Sequence, residues 1–509
     1  MSKTKARLEQ KQKEREDKLW ERIKSGKAVR VVYEERKKKA ALPNCKCRQK
    51  TAEEEMAERQ DKVEKATILY RQMLPGLLAK LSRIKDPRHP NKIKHKMTVL
   101  MVYGILLFVC QAGSRREANR QMSKPIFWEN IKAMFPEFDS MPHADTLARL
   151  LERIEVEQIQ ECLVELLRDL MRRKKFRSHL INKRYLVAVD GTQKFYRSYQ
   201  WEPEALKRHV GGEERIPQYY VYALESVLVL DNGIMLPVLT EILENKDWVE
   251  GQTKQDCESK AFYRLAGKLL KIFGKGKVIL IADGLYACGP VIRKCLEYQW
   301  DYMIVLKEDV MPDVWKEATG LMRLEPSNSL CAEWGDRKQD YLWANDIEYE
   351  YGNSSRQTVM LHVVVCYETW VENHSHSTGT VEEKKTRYAW ISSRPLNRRN
   401  VFMRCTTMAR YRWKIESNFL IEKHEGYSFE HVYSYNWQAM KGFHYLMKIG
   451  HFMNVMAVNS ELLAEYVDEK GIRGFVADLC LALSGAILDV ERIRNIANSR
   501  HVWKMKTAS

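Results

Sequence analysis

"RYLVAVDGTQ" (184–193) and "KVILIADGLYA" (277–287) share one construction, an apolar run closed by Asp-Gly. Each run is too short for a helix and too uniformly apolar for a half-solvated strand, so both read as strands buried on two faces. Each strand is expected to end at its Asp-Gly pair, Asp190-Gly191 and Asp283-Gly284. Between them, "QYYVYALESVLVLDNG" and "GIMLPVLTEIL" read as a hairpin turning at Asp231-Asn232-Gly233. "DCESKAFYRLAGKLLKIFGKG" (256–276) reads as a helix leading into the second Asp-Gly strand. "CGPVIRKCLEYQ" follows as a helix and "WDYMIVLKED" as a fifth strand. The order is β-β-β-α-β-α-β. A right-handed crossover sets the Asp283 strand parallel beside the Asp190 strand, an α/β core over 184–309.

Outward from this core the pattern changes. Residues 1–66 are charged throughout and read as a basic arm, flexible or helical. Residues 67–183 carry apolar residues at three- and four-residue steps and read as an all-helical domain, with Asp145 as an N-cap and Ser114 as another. Residues 310–395 mix strand-like stretches such as "TVMLHVVVCYETW" and "RYAWISS" with polar loops, and form a β-rich insertion. Helices return over 396–460, completing the core, and over a C-terminal helical region at 461–509.

The net charge of +18 points to a polyanionic partner, and 8 of that surplus sits in residues 1–40, where 15 Lys/Arg face 7 Asp/Glu. The remainder is spread along the chain, which suits a long nucleic-acid backbone better than a small acidic metabolite. Eleven cysteines, mostly in apolar contexts such as Cys110, Cys162, Cys288, Cys295, Cys366 and Cys480, suit buried, reduced thiols. Cys45 and Cys47 lack a second ligand pair at zinc spacing, and "HSHS" at 374–377 sits in a polar loop. The N-terminal "MSKTKARLEQ" has no apolar signal core, and the longest apolar run, 97–110, reads as a core helix rather than a membrane span. The expected location is cytoplasmic.

Parallel strands deliver their C-terminal residues to one sheet edge, where α/β sites form. Two adjacent carboxylates, Asp190 and Asp283, call for a neutralising cation, and Mg²⁺ (or Mn²⁺) suits all-oxygen ligands. Two such ions about 3.5–4 Å apart can clamp an in-line phosphoryl displacement. Such a site needs a third acid, and "YRWKIESNFLIEKHEG" (411–426) offers Glu416. On one continuous helix Glu416 would lie about 40° around the axis from Arg412 and Lys423 about 20°, one stripe with Phe419 between. Arg412 is then placed to hold a phosphate or steady Glu416, and Lys423 to meet DNA backbone further along. Glu422, Glu425, Asp256 and Glu258 are lower-ranked acids. Asp-Gly as a simple turn and the charged stripe as a solvated face are the structural alternatives.

With "AVDGTQ", "IADGLYA" and "RWKIESNFLIEK" in place, the chain resembles the DDE transposases of bacterial insertion sequences, on the IS-four-like branch. Those carry Tyr, two residues, Arg, three residues, Glu, six residues, Lys; Arg412, Glu416 and Lys423 match, while the Tyr position is Ala409 and Tyr411 is shifted by two. The resemblance covers roughly 85–460. It implies a ribonuclease-H-like catalytic core, a β insertion between the second Asp and the Glu helix, and metal-dependent cutting and joining of double-stranded DNA at element ends by a dimer assembled on DNA. Asp190, Asp283 and Glu416 would be the catalytic and metal-binding acids, with Arg412 and Lys423 on DNA. Trp343, Trp370 or Trp390 would be available to stack on an unpaired base. A nuclease of the same fold, or a transposase-derived DNA binder without catalysis, are the alternatives.

Overall fold

The computed structural model of the chain describes residues 49–212, 215–245, 255–352, 356–373 and 381–506, with parts of 10–32. Cys45, Cys47, the 374–377 histidines and most of the basic arm lie outside the described residues. The described chain is mixed α/β. Its strands are β1 (Arg30–Val32), β2 (Tyr185–Arg197), β3 (Leu206–Val210), β4 (Ile216–Val229), β5 (Met235–Leu243), β6 (Val278–Ala282), β7 (Asp301–Val305), β8 (Ser329–Trp334), β9 (Arg337–Tyr351), β10 (Gln357–Asn373) and β11 (Val381–Ser392). Two units divide it: residues 1–40, 184–189 and 273–413 form the first, and 41–183, 190–272 and 414–509 the second.

In the first unit, every residue of β6 (VILIA) is buried, as a strand covered on both faces must be. It pairs in parallel with the start of β2, Tyr185 opposite Val278 through Val189 opposite Ala282, and with β7 on its other side. β7 then pairs antiparallel with β11, and β11, β10, β9 and β8 continue as an antiparallel meander, with β1 parallel to β8. The Gly289–Glu297 helix packs on β7, β9 and β10, and the Pro312–Leu324 helix on β9. Trp343 and Trp390 are buried in this meander, 2% and 3% exposed, so neither offers a face to a base. Trp370 has the Arg337 guanidinium 4.0 Å from its ring centre.

In the second unit, β4 neighbours β2, and it pairs antiparallel with β3 and β5. The β4–β5 hairpin turns where the sequence predicts, with Gly233 at φ +82°, a conformation glycine adopts without a Cβ clash. β3 was not expected, because "LKRHV" has a single buried residue at its start and three exposed polar residues after it. β2 also departs from expectation. It runs on through Asp190-Gly191 to Arg197, since "TQKFYR" continues the alternation and Gly191 is extended rather than turning.

Helices fill the rest of this unit. Trp437–Val458 is buried almost all round, as a central helix is. Met97–Val109, Ala144–Leu151 and Glu157–Arg172 pack on it, as does Ala52–Leu81, which also holds the C-terminal pair Ala464–Gly485 and Val490–Asn498. Ser114 caps the Arg115–Met122 helix as expected, accepting from the Glu117 N–H. At Ala144–Leu151 the cap is His143, whose ring accepts from the Asp145 N–H; Asp145 is one turn position inside. Among the described residues no helix is long and apolar enough to cross a membrane. Cys110, Cys162, Cys295, Cys366 and Cys480 are free and buried, and Cys288 is free and half-buried.

Candidate active site

Asp283 belongs to the first unit. β6 delivers it at its C-terminal end, where it starts a short 3-10 turn, Gly284–Tyr286. Lys307, two residues past the end of β7, donates from Nζ to Asp283 Oδ2 at 3.0 Å. Burial pushes the Asp283 carboxyl up, but the Gly284 N–H, the Lys307 ammonium and the Arg412 guanidinium outweigh it and hold the group below the usual aspartate range. Arg412 is itself buried.

The segment before Glu416 is not the continuous helix expected. A π turn over Arg404–Met408 and a 3-10 turn over Ala409–Arg412 precede the α-helix Trp413–His424. The angular step per residue therefore differs on the two sides of Trp413, and Arg412 leaves the expected stripe, while Glu416 and Lys423 keep their seven-residue spacing on one α-helix. Arg412 is buried, Phe419 is buried, and Glu416 is exposed in the first turn of the α-helix. Lys423 pairs with Glu430 at 3.0 Å.

Asp190 and Glu416 belong to the second unit. Asp190 is half-buried in mid-strand and accepts the Gly191 N–H at 2.9 Å. A Cβ on Gly191 would stand 2.4 Å from Tyr222 Oη and 2.8 Å from Glu258 Oε2, so glycine here admits two functional groups to the backbone beside Asp190. Tyr222 donates to Glu258 at 3.1 Å. Burial, then the charges of Glu258 and Asp190, push the Tyr222 phenol up, keeping it a donor across the neutral range. The structure thus brings Glu258 and Tyr222 to Asp190. Glu258 opens the helix Glu258–Phe273, and its position at the start of the crossover was the available signal.

A buried polar stripe on the Trp437–Val458 helix holds the Glu416 helix in place. Lys448 pairs with Glu422 at 2.7 Å and with Glu225 of β4 at 3.0 Å, and His451 contacts Glu422 at 2.8 Å. His444 lies 3.1 Å from the Thr240 hydroxyl, which donates to Glu225 at 2.8 Å. From β2, Lys194 donates to the Phe429 carbonyl just beyond the Glu416 helix. Despite the burial of Glu422, the charges of Lys448 and the His451 contact push its carboxyl far down; Lys448 is raised in turn. Burial first, then Lys448, brings the Lys194 ammonium down to about 7, and burial brings His444 down to about 4. Lys441, His444, Lys448, His451 and Asn454 recur at helical spacing, a pattern legible in the sequence but not drawn on.

Among the described residues, no group of three or more His, Cys, Asp or Glu side chains is gathered as a metal-binding cluster. Residues 78–167, the helical front of the second unit, match the DDE_Tnp_1-associated family. The match points to a DDE-type transposase. It covers six of the α-helices ahead of β2 in whole or part and none of the strands that carry Asp190 or Asp283. A search among curated proteins finds no match.

Proposed function

We propose that the chain is a DNA transposase on a ribonuclease-H-like core, cutting at the ends of a mobile element and joining the freed 3′-OH ends to target DNA by in-line phosphoryl transfer. The observation that carries this reading is the parallel ladder of β2 and β6. Its last pair is Val189 opposite Ala282, and the residue that follows each is an aspartate, Asp190 and Asp283. Turn chemistry gives no reason for two aspartates to recur at matched register, whereas carboxylates so matched have a use in metal-assisted chemistry. The family match in the helical front supports the same class.

In this reading Asp190, Asp283 and Glu416 hold Mg²⁺ or Mn²⁺, and their chemistry fits: every donor is a carboxylate oxygen, and Asp283 already accepts from a cation, Lys307. When bound, the metal supplies charge neutralisation and Lewis acidity at the phosphate. The protein's own groups set the stage for it. The Gly191 N–H bonds Asp190, the Gly284 N–H helps hold Asp283 ionised, and Arg412 adds positive charge next to Asp283. Glu258 adds negative charge near Asp190, and the Lys448 cluster fixes the helix that bears Glu416. The helical front binds terminal repeats, the basic arm adds sequence-independent affinity, and joining two ends calls for a dimer on the DNA.

The test is incubation of DNA carrying both flanks of the gene with protein and Mg²⁺ or Mn²⁺. Cuts are expected at fixed positions, absent with EDTA and absent in Glu416→Gln, a loss of at least about 100-fold. Nicking without positional preference would replace the proposal with a general nuclease. Binding without any cleavage would replace it with a catalytically silent DNA binder.

A further inference from the structure

The expected base-stacking tryptophans are mostly buried, yet the second unit exposes aromatic rings elsewhere. Where β2 ends, Tyr196 and Tyr199 are 53% and 54% exposed, and Tyr435, from the segment before the Trp437–Val458 helix, is 48% exposed. Arg197 ties them together. Its guanidinium donates to Tyr435 Oη at 3.3 and 3.2 Å and lies 5.6 Å from the Tyr435 ring centre. The Arg197 bond, and then a bond with Tyr199, draw the Tyr435 phenol down. On the adjoining β3–β4 ribbon, Arg208 lies 4.7 Å over Tyr220 and Lys207 5.6 Å from Tyr219. Arg208 also donates to Gln193 of β2 and Gln218 of β4, both at 2.6 Å. The rings rest on a firm base, since Phe195, Ala205, Val221, Ile242, Trp437 and Met440 form a buried cluster with Trp201 and Tyr219 packed on it.

We infer that this surface is a stacking platform for the unpaired bases of a DNA strand. Three exposed phenol rings interleaved with Arg197, Lys207 and Arg208 supply the two elements single-strand binding uses, π faces for bases and cations for the backbone. The cations sit at rings of this surface: Arg197 by Tyr435, Lys207 by Tyr219 and Arg208 by Tyr220. Position favours it too. Tyr196 lies six residues along β2 from Asp190, about 20 Å at strand rise, so a strand held at Asp190 reaches the platform within a few nucleotides. The role of the platform rests on the DNA-cutting reading, but its binding does not require cleavage.

The test is fluorescence anisotropy with a labelled oligothymidylate of about 15 nucleotides and a duplex of equal length, in EDTA so that no cleavage occurs. The combined variant Tyr196→Ala, Tyr199→Ala, Tyr435→Ala is expected to lose about 100-fold in single-strand affinity and less than about 3-fold for duplex. Unchanged single-strand affinity, or an equal loss for both probes, would overturn the platform without touching the proposal on cleavage. If the combined variant melts early, Tyr199→Ala alone, with a loss of about 5-fold expected, decides in the same way.

Discussion

Asp283 and Glu422 each face a lysine, Lys307 at 3.0 Å and Lys448 at 2.7 Å, and both carboxyls are held below their ordinary range. The surroundings differ. Glu422 is fully buried, and its lysine is shared with Glu225 and walled in by the Trp437–Val458 helix. The Asp283 side chain is 28% exposed and Lys307 51% exposed. Water screens the second pair, and Lys307 can swing away at small cost. The first pair cannot separate without leaving an uncompensated charge in the interior. One pair is architecture, and the other keeps a carboxylate ionised within reach of solvent.

The sharpest way to break this contrast is at Lys448. Lys448→Met strands Glu225 and Glu422 together in the interior and is expected to cost about 3–5 kcal/mol of unfolding free energy, read by urea denaturation. A loss under about 1 kcal/mol would mean that water reaches the cluster and that it resembles the Asp283 pair after all.

A smaller effect concerns Lys194, the second lysine of the buried group. Its ammonium falls from the ordinary lysine value of 10.5 to about 7 on folding. Below pH 7 both states carry the proton and the cost of burying it is complete. Between about pH 7 and 10.5 the unfolded chain binds a proton that the folded chain lacks, so stability rises with pH, by up to about 1.4 kcal/mol per unit. Urea midpoints measured from pH 6 to 9.5 should climb for the parent chain and stay flatter for Lys194→Met. Equal slopes would show that Lys194 stays charged in the fold.

The same contrast explains how much was legible beforehand. Apolar runs such as "VILIA" declare buried strands because burial on two faces leaves no room for alternation, and the parallel pairing of β2 with β6 followed from the crossover helix. Asp190 and Asp283 were singled out because each closes such an apolar run. Gly191 misled: Asp-Gly has the chemistry of a turn, but this glycine serves the approach of Tyr222 and Glu258, a contact between residues 31 and 67 positions away that periodicity does not encode. Arg412 misled for a related reason, since a π turn followed by a 3-10 turn leaves no trace in a pattern read at 3.6 residues. The Lys448 cluster is formed from β4 and two helices, and pairings across elements emerge only in the fold.

The least disruptive change is Lys307→Ala. As a screened pair, Lys307 and Asp283 contribute less than about 1 kcal/mol, so the melting temperature should barely move. The folded pKa of Asp283 is depressed, so its contribution is present above the unfolded value and is lost as pH falls through the folded one. The variant should therefore show a shallower loss of stability in acid than the parent. In the cleavage assay the removed ammonium no longer competes for Asp283 Oδ2, so half-maximal cutting should need several-fold less Mg²⁺ while the saturated rate stays the same. A lower rate at saturating metal would assign Lys307 to the DNA rather than to Asp283. An unchanged metal requirement would mean that the lysine was never displaced, and that the pair at the end of β6 is as structural as the one around Glu422.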